Sequence, residues 1–260
     1  MNGMQTTILK AKHYSDTEIG KTRKRAASLN LPTNVVLGVN GSYARREASE
    51  QSDLDMFAIV DGPLTEELMQ QLREGREFLR QQSGAKAASS TGVFDSSSVI
   101  NYDKLMSDIG GNEEENRDLT ARVLLLLEGE WITNQLMFDN VRKALLQRYV
   151  RSSQNDGLAL YLLNDIIRYY RTMCVDYEHK VLAGKSWAIR NIKLVYSRKL
   201  LYFCGVLAVA ETFKLSNDKK LSLLLELLSM PAIDRMTAIC GEANVARALQ
   251  LYDAFLRKLE

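Results

Sequence analysis

Two five-residue apolar runs, Val35-Val36-Leu37-Gly38-Val39 and Met56-Phe57-Ala58-Ile59-Val60, have the length and composition of buried strands. The polar stretch between them predicts a short helix over residues 42–48. Upstream, Ser15 and Glu18 have capping-box spacing, which predicts a first helix from there toward Leu29, ahead of Pro32. After the turn Asp61-Gly62-Pro63, Thr65 caps a helix to about Gln82 with Leu68, Leu72, Phe78 and Leu79 as its apolar positions. Residues 87–94 are the next extended candidate, and 113–128 and 138–150 are strongly helical. From Asp156 onward strand signals vanish. Leu158, Leu162, Ile166, Tyr169 and Met173 recur at helical spacing, and 189–210, 221–228 and 243–259 continue the pattern. The expectation is an α/β (α+β) domain with a small mixed sheet over residues 1–150, followed by an all-α helical bundle over 151–260.

The polar residues between the two strands carry the candidate chemistry. In GVNGSYARREASEQSDLDMFAIV, Gly41-Ser42 forms a turn, and Asp53-Leu54-Asp55 leads into the second strand. Side chains alternate along a strand, so Asp53 and Asp55 share one face while Leu54 and Met56 point to a core. Two carboxylates that close repel unless a cation lies between them. Mg²⁺ suits that role, taking hard oxygen ligands from one or two carboxylates and from substrate phosphates. Gly41 lets backbone approach a phosphate closely, Ser42 offers a hydroxyl and an amide, and Arg45 or Arg46 can pair with two phosphate oxygens at once.

Two strands flanking GS-x10-D-x-D resemble the signature of the DNA polymerase β-type nucleotidyltransferase superfamily. The wording GSYARREASEQSDLD is most similar to small bacterial nucleotidyltransferases and to the N-terminal domain of regulatory uridylyltransferases. The resemblance implies an enzyme that transfers a nucleoside monophosphate from an NTP to a hydroxyl acceptor with release of pyrophosphate, assisted by two Mg²⁺ ions. Gly41 and Ser42 would hold the triphosphate, and Asp53 and Asp55 would ligate metal. The family pattern adds a third carboxylate on a later strand. Asp95 is the candidate, as ligand or as the base that takes the acceptor's proton, with Asp103, Glu128 and Glu130 as weaker competitors because none lies on a clear strand. The acceptor stays open between a protein, an RNA and a small molecule, and family analogy admits a toxin or a regulator. The alternatives are a catalytically weak NTP-sensing module and an RNA-binding protein on the same fold.

Composition narrows the class. Hydrophobic content of 46% and charged content of 25% describe an ordinary globular protein. No apolar run approaches a membrane span and the first twelve residues lack a signal-like apolar segment, so no membrane partner is expected. Cys174, Cys204 and Cys240 fit neither zinc spacing nor a disulfide framework, which points to a reducing cytoplasm. With only His13 and His179, a histidine metal centre or a Ser-His-Asp triad is disfavoured.

Charge differs between the halves. Residues 1–150 hold 18 Lys and Arg against 21 Asp and Glu, a net −3, and residues 151–260 hold 16 against 11, a net +5. Lys21, Arg23, Lys24 and Arg25 read as a solvated basic face, with contact to nucleic acid or phosphate as the alternative. In the helical half, Arg190, Lys193 and Ser197 at i, i+3 and i+7 predict one shared helix face for an NTP, with Tyr169, Tyr196 or Trp187 available to stack on a base. Packed tyrosines beside a solvated basic face read the same residues equally well. Asp165 on an apolar helix is expected to pair with Arg168.

Overall fold

The structure, a computed structural model, describes residues 6–85, 99–107, 109–111, 114–151, 157–182, 184 and 186–259. It is mostly helical with a small mixed four-stranded sheet. Two compact units are present, Thr6–Arg142 and Lys143–Leu259, and their boundary falls within the helix that also contains residue 150.

In the first unit, β1 (Val35–Val39) and β2 (Met56–Val60) occupy the positions expected from their apolar runs, and every residue of both is buried. They pair antiparallel, with Val35 opposite Val60 and Val39 opposite Met56. β3 (Val99–Asn101) adds to β2 in parallel, and β4 (Glu130–Trp131) adds antiparallel to β1, giving the order β3-β2-β1-β4. The strand expected over 87–94 lies outside the described residues.

One sheet face packs on helices. Val35, Leu37 and Val39 alternate with residues of the opposite face and join Met56, Ala58 and Val60 in a core with Ile19 and Ala26 of α1 (Thr6–Ala26) and Leu72 and Leu79 of α3 (Glu66–Ser83). Thr65 caps α3 as expected, its hydroxyl accepting the Leu68 N–H at 3.2 Å. Phe78, however, is exposed, because Gly75 and Arg76 occupy the buried face between Leu72 and Leu79.

α1 corrects the capping-box expectation. The helix is already formed at Thr6, and Ser15 lies in its interior, fully buried. The Ser15 hydroxyl donates to the Ala11 carbonyl at 2.7 Å and accepts the Ala48 N–H at 3.1 Å. After β2 in sequence come α4 (Tyr102–Met106), α5 (Asn116–Leu127) and α6 (Gln135–Arg151), the last of which crosses into the second unit.

The second unit contains α7 (Leu160–Leu182), α8 (Trp187–Lys193), α9 (Lys199–Ala210), α10 (Asn217–Ser229), α11 (Ala232–Cys240) and α12 (Glu242–Arg257). α9 packs against α7, α10 and α11. α11 was not expected from sequence. Its Arg235, fully buried, donates to the carbonyls of Leu227 and Met230, each at 2.9 Å, and so satisfies the C-terminal end of α10. Among the described residues no helix is long and apolar enough to cross a membrane.

Candidate functional site

β1 does not end cleanly at Val39. Asn40 keeps extended torsions (φ −125°, ψ −167°) and donates its N–H to the Asp55 carbonyl at 2.9 Å, continuing the β1–β2 pairing by one step. Gly41 then takes φ +72° and turns the chain into the four-residue α2 (Gly41–Ala44). A Cβ at Gly41 would lie 2.5 Å from Asp55 Oδ2, so the missing side chain is what lets the carboxylate sit against the turn. Ser42 follows, half-buried, and its carbonyl accepts the Glu47 N–H at 2.8 Å.

The aspartates keep the expected alternation although both precede β2. Leu54 and Met56 are buried in the core, while Asp53 and Asp55 are half-buried. The negative charge of Asp53 reaches Tyr43: burial first, then the hydrogen bond with Tyr14, and then the charges of Glu18 and Asp53 push the Tyr43 phenol well above its ordinary range.

Beneath the turn lies a buried ionic frame. Glu128, which caps the end of α5, accepts the Gly41 N–H through Oε1 at 3.2 Å and an Arg45 guanidinium nitrogen through Oε2 at 2.7 Å. Arg45 also donates to Glu47 at 3.0 Å, and all three side chains are almost inaccessible to water. Arg46 adopts φ +63°, a left-handed conformation unusual for a residue with a Cβ. Asp16 and Glu130, both at 2.7 Å, and the Ala44 carbonyl at 3.0 Å hold it there. The guanidinium groups offered by the sequence for phosphate binding are therefore engaged by carboxylates of the protein itself. Arg23 is likewise not a solvated charge. It donates to Glu130 at 2.7 Å and lies 3.5 Å from the centre of the Trp131 ring, and burial lowers its pKa despite the Glu130 charge.

Asp95 falls within residues 86–98, outside the described residues. Of its competitors, Glu130 does lie on a strand, β4, and Glu128 stands two residues before it, at the end of α5. Arg190 and Lys193 sit on α8 in the second unit, the first half-buried and the second exposed. Ser197 does not share their face: it is buried, because residues Leu194–Arg198 form a π-helical turn that adds residues per turn and rotates position 197 inward. Tyr196 stacks on Phe255 with ring centres 4.8 Å apart, and Tyr169 is fully buried, so neither ring is presented to a ligand, whereas Trp187 is 60% exposed. Asp165 is buried, accepting the Tyr149 hydroxyl at 2.6 Å and pairing with Arg168 at 3.4 Å.

The site also contains a group that sequence reasoning passed over. Both side-chain amide atoms of Asn40 are buried and make no hydrogen bond among the described residues. The available signal was a polar residue closing an otherwise wholly apolar strand. Among the described residues no group of three or more His, Cys, Asp or Glu is arranged to hold a metal ion. No protein-family model matches the chain, and no curated protein matches it.

Proposed function

We propose that the chain is a Mg²⁺-dependent nucleotidyltransferase that moves a nucleoside monophosphate from an NTP to the hydroxyl of a protein, RNA or small molecule. The observation that carries this reading is the seat of Asp55 against Gly41: a positive-φ glycine, a hydroxyl residue and a carboxylate meet at the paired ends of β1 and β2, with Asp53 two residues before Asp55. The GS-x10-D-x-D resemblance to the polymerase β-type superfamily supports the same reaction. Asp53 and Asp55 would hold the cation, and a deeply buried orphan amide at Asn40 beside them fits a site that a polar ligand completes. When bound, Mg²⁺ supplies charge neutralisation on the triphosphate and Lewis acidity at its α-phosphoryl group.

In the reaction, the acceptor oxygen attacks the α-phosphorus in line. The new O–P bond forms as the bond from the α-phosphorus to the pyrophosphate oxygen breaks, pyrophosphate leaves, and the acceptor's proton passes to a carboxylate or to water. Ser42 binds a phosphate oxygen through its hydroxyl. Glu128, Arg45 and Glu47 fix the turn on which Ser42 sits. The test is transfer of label from each α-labelled NTP, with Mg²⁺, to components of a cell extract. Transfer abolished by Asp53→Asn and by Asp55→Asn supports the reading. NTP binding with no transfer to any acceptor sinks the enzyme and leaves an NTP sensor.

A further inference from the structure

Among the described residues of the site, Asn40 is the one group whose burial has no internal explanation. It is 3% exposed, and neither Oδ1 nor Nδ2 finds a partner among the described residues. A buried amide is normally hydrogen-bonded, and an orphan in a folded protein marks a bound water, an ion or a functional role. Its position says which. Because Val39 stands opposite Met56 and the Asn40 N–H bonds the Asp55 carbonyl, Asn40 and Asp55 are cross-strand neighbours. Directly opposed residues in an antiparallel pair project to the same sheet face, with Cβ atoms about 5 Å apart. Leu54 and Met56 enter the core on the other face, so the orphan amide and the Asp55 carboxylate belong to one face at the lip of the Gly41 turn.

We propose that Asn40 is a third ligand of the site, its Oδ1 supplying a neutral oxygen to a divalent cation held by Asp53 and Asp55. This inference rests on the reading of those aspartates as metal ligands. Amide oxygens are ordinary ligands of hard divalent cations, and Mg²⁺ is usually held by no more than one or two carboxylates. A neutral third ligand has a physical advantage here. Two carboxylates already balance the charge of one divalent cation, and a third would repel the triphosphate that the same cation must receive.

The experiment uses Mn²⁺ as the probe, titrated into the full-length protein without nucleotide and read by the electron paramagnetic resonance of free Mn²⁺, alongside thermal melts of the metal-free protein. Asn40→Ala is expected to weaken Mn²⁺ binding by about 10-fold or more. It should leave the metal-free melting temperature at or above that of the wild type, because no internal hydrogen bond is lost and an unsatisfied buried group is removed. Asn40→Asp, which returns an oxygen and adds charge, is expected to bind Mn²⁺ at least as tightly as the wild type, and it decides the matter if the alanine variant does not fold. Mn²⁺ affinity unchanged in Asn40→Ala, or weakened in Asn40→Asp, overturns the assignment, as does a metal-free melt lowered in Asn40→Ala with no change in affinity. The parent reading fails separately: wild-type protein that binds Mn²⁺ neither alone nor with NTP removes both proposals. Binding that depends on Asn40 in a protein that transfers nothing removes only the enzyme.

Discussion

Replacing Gly41 by alanine tests whether the turn and the Asp55 carboxylate are one unit. The substitution has two separable effects. Holding a residue with a Cβ at φ +72° costs about 1–2 kcal/mol. The new methyl would also stand 2.5 Å from Asp55 Oδ2, so the carboxylate must rotate out of its seat, adding about 1 kcal/mol for an off-rotamer side chain. Gly84 provides the control. It has nearly the same φ, +65°, at the C-terminus of α3, but a Cβ there meets nothing within 4 Å. Both glycines belong to the same unit, so urea unfolding of that unit compares them directly. Gly84→Ala is expected to lose only the backbone part, about 1–2 kcal/mol, and keep its Mn²⁺ affinity. Gly41→Ala should lose roughly 2–3 kcal/mol and bind Mn²⁺ more weakly. Equal urea midpoints and equal Mn²⁺ affinities for the two variants would refute the coupling of Gly41 to Asp55.

Four further outcomes follow from the same contacts. Gly38 faces Phe57 across the β1–β2 pair, and a Cβ there would lie 2.2 Å from the buried ring, so Gly38→Ala should lower stability by about 1–3 kcal/mol in urea unfolding. Gly20 lies within α1 with nothing near its Cβ position, so Gly20→Ala should raise stability by about 0.5–1 kcal/mol in the same assay. Glu128→Ala strips the Gly41 N–H of its acceptor and leaves Arg45 buried with Glu47, so a loss near 3 kcal/mol is expected by thermal or chemical melt, and wild-type stability would refute the frame. Burial pushes the Cys204 thiol up to about 12 from its ordinary 9.0. The folded state therefore holds this proton more tightly than the unfolded chain, and the associated stability, full below about pH 9, is lost as pH rises toward 12. A melt that falls less steeply over that range in Cys204→Ala than in the wild type is the check, and equal slopes would refute it.

The parts of the fold that were legible share one property: their signal is local and periodic. β1 and β2 are short runs buried on both faces, and the aspartate pair rides the same period of two, which is why Leu54 and Met56 enter the core while Asp53 and Asp55 do not. α1 was misread for a related reason. Its buried stripe runs Ile8, Ala11, Ser15, Ile19, Thr22, Ala26, helical in spacing but built largely from small or hydroxylated residues, so its periodic signal is faint and the capping-box spacing of Ser15 and Glu18 starts the helix too late. β4 has only two residues, one of them Glu130, and exists because β1 provides an edge for it.

The frame of the site was hidden for a different reason. A buried polar residue leaves no periodic trace, and its meaning depends on which distant residue the fold brings to it. Arg45 looks like a phosphate ligand until Glu128, 83 positions away, is placed on its guanidinium. Gly41 looks like an open amide until the same carboxylate occupies it. Asn40 looks like an ordinary turn residue until the strand register sets it opposite Asp55. In each case the residue type was visible and its partner was not. With Arg45 and Arg46 held by protein carboxylates, the proposed function would require Ser42, Asn40 and a cation, rather than these arginines, to receive a triphosphate. Ligand affinity in this chain should accordingly be more sensitive to the loss of Asp55 or Asn40 than to exchanging Arg46 for lysine, since the lysine keeps a charge between Asp16 and Glu130 without approaching the nucleotide.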